Sequence, residues 1–132
     1  MSGSICSLVV IGFCQSVLIT QPAFARDLLD SEKAVIEKTV KAELSDPESA
    51  RFKWVPVPAL GVNTYCGLVN SKNRFGGYAG DAPYIVFVIW KDEAIRVAAP
   101  LRIGSNDQTS PASIATLQTC EKNGYTNLSL AE

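Results

Sequence analysis

Residues 83–101 read PYIVFVIWKDEAIRVAAPL: an almost wholly apolar run, a polar break at Lys91-Asp92-Glu93, and a second run starting at Ala94. An apolar run this short, rich in β-branched and aromatic side chains, reads as a strand and not a helix. Because it does not alternate, 83–90 is expected to be a central strand covered on both faces; left open, it would invite aggregation. Lys91-Asp92-Glu93 then closes a hairpin onto the strand 94–101. This hairpin belongs to a mainly antiparallel sheet, and its neighbours in sequence supply the other elements.

Upstream, 64–69 reads as another strand and carries Cys66. Arg51-Phe52-Lys53-Trp54-Val55 alternates charged with aromatic residues, which predicts a strand with Phe52 and Trp54 inward. Pro56 and Pro58 cannot donate to a ladder, so that strand lies at an edge or ends there. Residues 30–45 are helical: Leu29, Ile36, Val40 and Leu44 form a stripe with Leu28, Val35 and Ala42 on its shoulder. Asp30 or Ser31 is expected to cap it, with Glu32 at the positive helix end and a Glu37–Lys41 pair in support. Ser45 or Asp46 then caps one further turn through Pro47. Downstream, 106–109 is loop, and Ser110-Pro111 opens a last helix that turns Ile114, Leu117 and Cys120 to one side and stops at Asn123-Gly124. The expected fold is α+β: an N-terminal helix, a mainly antiparallel sheet of about four strands, and a C-terminal helix.

Composition sets the address. All 12 basic and 13 acidic side chains of the 132 residues lie at or after Arg26. The uncharged stretch before it contains an apolar run over 5–19 and ends in Ala23-Phe24-Ala25, the small-x-small pattern of a signal-peptidase site. A run of about 15 residues is short for a membrane span. We therefore expect 1–25 to be a cleaved signal peptide and 26–132 a single domain, periplasmic or secreted, with no membrane span after cleavage. An uncleaved anchor is the competing reading, because only the amino terminus supplies positive charge. Cys6 follows Ile5 and Cys14 follows Phe13, which does not suit a lipobox. Cleavage leaves two cysteines, Cys66 and Cys120, most simply one disulfide in an oxidising compartment. Closing 54 residues stabilises by about 4 kcal/mol on the loop-entropy account. A redox-active pair lacks the C-x-x-C spacing.

Residues 70–81 read NSKNRFGGYAGD, longer than a hairpin needs. Lys72 and Arg74 beside glycine amides are suited to an anion or carboxylate, and Phe75 and Tyr78 to stacking on a sugar ring or a partner's side chain. With Asn73 these four are the candidate binding residues; Gly67, Asn70, Gly76, Gly77 and Gly80 are expected to shape the loop. The competing structural reading has Gly76-Gly77 making a tight return, Asn70 and Asn73 capping turns and Tyr78 packing on the sheet. No P-loop or dinucleotide fingerprint is present.

The combination Asp46-Pro47-Glu48-Ser49-Ala50-Arg51-Phe52 with Tyr65-Cys66-Gly67-Leu68-Val69-Asn70 and Lys72-Asn73-Arg74-Phe75-Gly76-Gly77-Tyr78-Ala79-Gly80 resembles a set of small exported, uncharacterised bacterial proteins. Their pattern is approximately DPxSAxF … CGxVNxKNxxGGYxG. The resemblance covers about 30 residues and implies a bacterial source and a periplasmic or secreted destination, with no chemistry attached.

Net charge of −1 and 19% charged residues give no basic field for nucleic acid, and the absence of histidine removes His-based catalysis and zinc sites. No metal site, cofactor or catalytic residue is expected. The carboxylates Asp81, Asp92, Glu93 and Asp107 are scattered in sequence, so a hydrolase pair would have to assemble in space. The expected function is an interaction module of the cell envelope or exterior (an inhibitor, an accessory subunit or a virulence-type factor) that meets a protein partner through residues 70–81. The alternatives are a small carboxylate-based hydrolase and a purely structural, disulfide-stapled domain.

Overall fold

The computed structural model describes residues 25–126 and Leu128. The expected leader, Ala25 apart, lies outside the described residues, as do Cys6 and Cys14. In chain order the elements are α1 (Asp30–Lys41), a 3-10 turn (Pro47–Ser49), β1 (Arg51–Lys53), β2 (Thr64–Asn70), β3 (Ala82–Lys91), β4 (Ala94–Ile103) and α2 (Pro111–Lys122). The four strands form one sheet in the order β1-β2-β3-β4, each antiparallel to its neighbour. The Cys66–Cys120 disulfide joins β2 to α2. The fold is the α+β arrangement expected from the sequence.

Strand register assigns the two faces. Cys66 pairs with Ile85 and Thr64 with Phe87, so these side chains share the face to which the disulfide ties α2. Phe52, Val69, Tyr65, Tyr84 and Val88 occupy the other face. There Phe52 stacks on Trp54 at 5.1 Å and meets Tyr84 edge-on at 6.0 Å. Helix α1 packs on that side, with Ile36 and Val40 fully buried and Lys33 over the Trp54 ring. The edge position of β1 and the inward Phe52 and Trp54 agree with the alternation and the two prolines.

Three local readings need correction. Neither Asp30 nor Ser31 caps α1: the N-cap is Leu29, and Glu32 reaches back to its amide at 2.9 Å. Glu32 is fully buried and also accepts from Ile95 N at 2.9 Å and from both Arg26 nitrogens at 2.9 and 2.7 Å. Burial alone would push its carboxyl up, but the Arg26 hydrogen bonds and the two backbone donors outweigh it and hold the group below the usual carboxylate range. On α2, the face toward the sheet is Ser113, Thr116 and Cys120, while Ile114 is exposed and Leu117 half-buried. Ser113 is drawn inward because its hydroxyl donates to Ser105 O at 2.8 Å, and the disulfide fixes the helix's rotation from the other end. Finally, β3 is covered along only part of its length: Phe87 and Ile89 are open to solvent on the α2 side.

Candidate functional site

The candidate site is the connection from β2 to β3, and the sequence builds it as an extension of that hairpin. An isolated antiparallel bridge links Lys72 to Tyr78. Inside it Asn73 N donates to Gly77 O at 2.8 Å and Gly76 N to Asn73 O at 3.0 Å. Asn73 Oδ1 accepts from Phe75 N at 2.9 Å and Gly77 N at 3.3 Å, a local closure that asparagine supplies readily. Gly76 has φ +82°, a conformation costly for any residue with a Cβ, and this lets the chain turn back after Phe75. At the base, Asn70 Oδ1 accepts from Gly80 N at 3.1 Å.

The loop is also fastened sideways to the 3-10 turn that precedes β1. Ser49 Oγ accepts from Lys72 N at 2.8 Å and donates to Asp46 O at 2.8 Å, while Tyr78 OH donates to Ser49 O at 3.1 Å. The Arg51 guanidinium lies 4.0 Å from the Tyr78 ring centroid and the Lys72 ammonium 5.7 Å from it. Lys53 forms an ion pair with Asp81 at 2.5 Å at the loop's end. The Asp46-to-Phe52 and Asn70-to-Gly80 segments are thus one physical unit.

The sequence-predicted residues divide between the two readings of this loop. Asn70, Asn73, Gly76, Gly80 and Tyr78 hold its shape, and Tyr78, though 38% exposed, is pinned on its outer side. Arg74 points to solvent and Phe75 is 97% exposed at the tip. Lys72 is half-buried beside Tyr78. Gly67 acts inside the sheet and not in the loop: a Cβ there would lie 2.5 Å from the Tyr84 hydroxyl. Sequence reasoning missed Ser49 and Arg51. Their signal was available as charge segregation, because residues 49–80 contain Arg51, Lys53, Lys72 and Arg74 and no Asp or Glu. Among the described residues no carboxylate lies within salt-bridge distance of Arg51, Lys72 or Arg74.

Behind the loop is an open cleft of about 210 Å³, lined by Glu43, Ser45, Lys72, Asn73, Ser105 and Asn106 among others. The scattered carboxylates take separate places: Asp81 pairs with Lys53, Asp107 accepts from Thr109 N and Oγ1, and Asp92-Glu93 form the β3–β4 turn. The Thr109 hydrogen bonds hold the Asp107 carboxyl below its ordinary range. Among the described residues no group of three His, Cys, Asp or Glu side chains is placed to hold a metal ion. Comparison of the chain with protein-family models, curated proteins and solved structures gives no match.

Proposed function

We propose that the chain is an exported interaction module that meets a protein partner through residues 70–81, in the periplasm or outside the cell. The observation that carries this reading is Phe75, fully open at the tip of a loop whose backbone is tied down from both sides. Burying such a side chain is worth about 2–3 kcal/mol, which the fold leaves for a partner to collect. A pre-ordered loop also loses little entropy on docking. Arg74, Arg51 and Lys72 add cations around the aromatic pair, the composition expected at the centre of a contact.

Export is supported by the charge boundary at Arg26, the small-x-small site before it and the disulfide. Among the described residues no helix is long and apolar enough to cross a membrane. The resemblance to small exported proteins agrees with the display reading, because its pattern leaves open the two positions, 74 and 75, that point outward.

The test is a pull-down from envelope extract and culture medium with the mature, oxidised chain, beside an Arg74→Ala/Phe75→Ala variant. Capture of a protein by the wild type and its loss in the equally stable variant is the expected result. Equal capture by both baits, or by neither, would sink the loop as the contact surface.

A further inference from the structure

The contact proposed for the loop tip leaves unused the cleft of about 210 Å³ behind the loop. Four parts of the chain wall it: the turn after α1, the 70–81 loop, the start of β3, and the link from β4 to α2. Leu44, Val69, Ala82 and Ile103, buried or half-buried, give it an apolar floor. Glu43, Ser45, Ser71, Lys72, Asn73 and Asn106 give it a polar rim. An apolar concavity with a few converging polar groups is the usual build of a small-ligand site.

The walls are fixed before anything binds. On the loop side Lys72 N donates to Ser49 Oγ at 2.8 Å and Gly80 N to Asn70 Oδ1 at 3.1 Å. On the other side Gly104 N donates to Pro83 O at 2.7 Å and Ser105 N to Ser113 Oγ at 3.0 Å. Residue 104 has to be glycine for that wall to sit so close, because a Cβ there would lie 2.8 Å from Ser113 Oγ and 2.9 Å from Pro83 Cγ. The rim side chains, by contrast, are unengaged. Among the described residues Ser45, Ser71 and Asn106 make no side-chain hydrogen bond, and Asn73 uses its Oδ1 but not its Nδ2. Glu43 and Lys72 are the two charged side chains on the lining, opposite in sign, and neither has an ion-pair partner among the described residues. An acid and a base that close on each other leave nothing for a ligand; in this cleft both charges stay open.

We propose that the cleft binds a free α-amino acid with an apolar side chain, its carboxylate at Lys72 and Asn73, its ammonium at Glu43 and its side chain over Leu44, Val69 and Ile103. Size excludes larger ligands. At about 30 Å³ for each displaced water the space holds roughly seven waters, so it admits a ligand of about seven to ten non-hydrogen atoms. That is below the roughly 300 Å³ at which pockets for drug-sized ligands begin, and too small for a nucleotide or a disaccharide. Charge selects among small ligands. A simple anion leaves Glu43 unpaired beside it and a simple cation leaves Lys72 so, whereas a zwitterion meets both. A monosaccharide finds no aromatic platform, since no Phe, Tyr or Trp is on the described lining and Tyr78 is held on the loop's outer side. The site does not depend on Phe75, so this reading and that of the loop tip can fail separately.

The experiment is an amide NMR titration of the mature, oxidised chain with L-leucine, L-leucinamide and isocaproate, the last two lacking the carboxylate and the amine respectively. The expected result is saturable shifts confined to the segments 43–45, 71–73 and 103–106, with a dissociation constant for leucine on the order of 100 μM. Loss of either charged group from the ligand should weaken binding by about tenfold or more. Lys72→Gln should no longer distinguish leucine from leucinamide, and Glu43→Gln should no longer distinguish leucine from isocaproate, with circular dichroism unchanged in both. Absence of saturable shifts at these amides with L-leucine, L-valine and L-methionine overturns the proposal. Isocaproate that binds the wild type as well as leucine overturns it in favour of a plain carboxylate site, and glucose that binds at these amides where leucine does not overturns it in favour of a sugar site.

Discussion

Replacing Arg26 by alanine tests the reasoning about the N-terminal anchor of the domain. Arg26 joins Val57 through two backbone hydrogen bonds of 3.0 and 2.8 Å, lays its guanidinium 5.4 Å from the Trp90 ring centre, and binds both oxygens of buried Glu32. The variant leaves that carboxylate with only Leu29 N and Ile95 N. Breaking a buried pair costs about 3–5 kcal/mol, and because the Arg26 side chain is itself 27% exposed we expect the lower end, about 3 kcal/mol. For a domain of this size that lowers Tm by roughly 15 °C.

The pH dependence carries a sign. In the wild type the Glu32 carboxyl is depressed below its ordinary 4.5, so its contribution is complete above that value and is lost as pH falls through the lower folded value. In the variant burial prevails, the carboxyl rises, and stability increases as pH falls from neutral toward the unfolded value. The gap between the two proteins is therefore widest near neutral pH and closes in acid. Urea melts near neutral pH and at about pH 5 and pH 3.5, followed by circular dichroism, measure it. A gap below about 1 kcal/mol, or one that ignores pH, would show that Arg26–Glu32 behaves as an ordinary surface pair and would refute the argument.

Further substitutions test the sheet, the staple and the loop. Gly67→Ala drives a Cβ into the Tyr84 hydroxyl and is expected to cost about 2–3 kcal/mol. Because that buried hydroxyl finds no hydrogen-bond partner among the described residues, Tyr84→Phe should be neutral or mildly stabilising and should recover part of the Gly67→Ala loss; additive effects in the double-mutant cycle would contradict this. Cys66→Ser/Cys120→Ser should lower stability by about 4 kcal/mol in denaturant melts, and an unchanged midpoint would mean that the bridge restrains little. In thermal melts Phe75→Ala should stay within about 0.5 kcal/mol of wild type, whereas Tyr78→Ala, which loses the Ser49 bond and the Arg51 contact, should cost about 1–2 kcal/mol. Equal effects would erase the division between tip and frame.

The strands, their antiparallel pairing and the disulfide were legible because each rests on a local rule: alternation at 51–55, an apolar run at 83–90, two cysteines after an uncharged N-terminal stretch. Other features depend on which neighbour a side chain meets. Glu32 reads as a surface charge at a helix start until Arg26 and Ile95 arrive from elsewhere in the chain. The stripe on α2 is off because Ser113 trades solvent for Ser105 O, and a helical period cannot tell a small buried hydroxyl from an exposed one. An apolar strand announces that both faces suit burial but not how far along its length the fold covers each face, and Phe87 and Ile89 sit where the cover ends. In the loop, Asn73 and Gly76 were readable as turn-formers, whereas the Arg51–Tyr78 contact needed the register that sets β1 beside the loop.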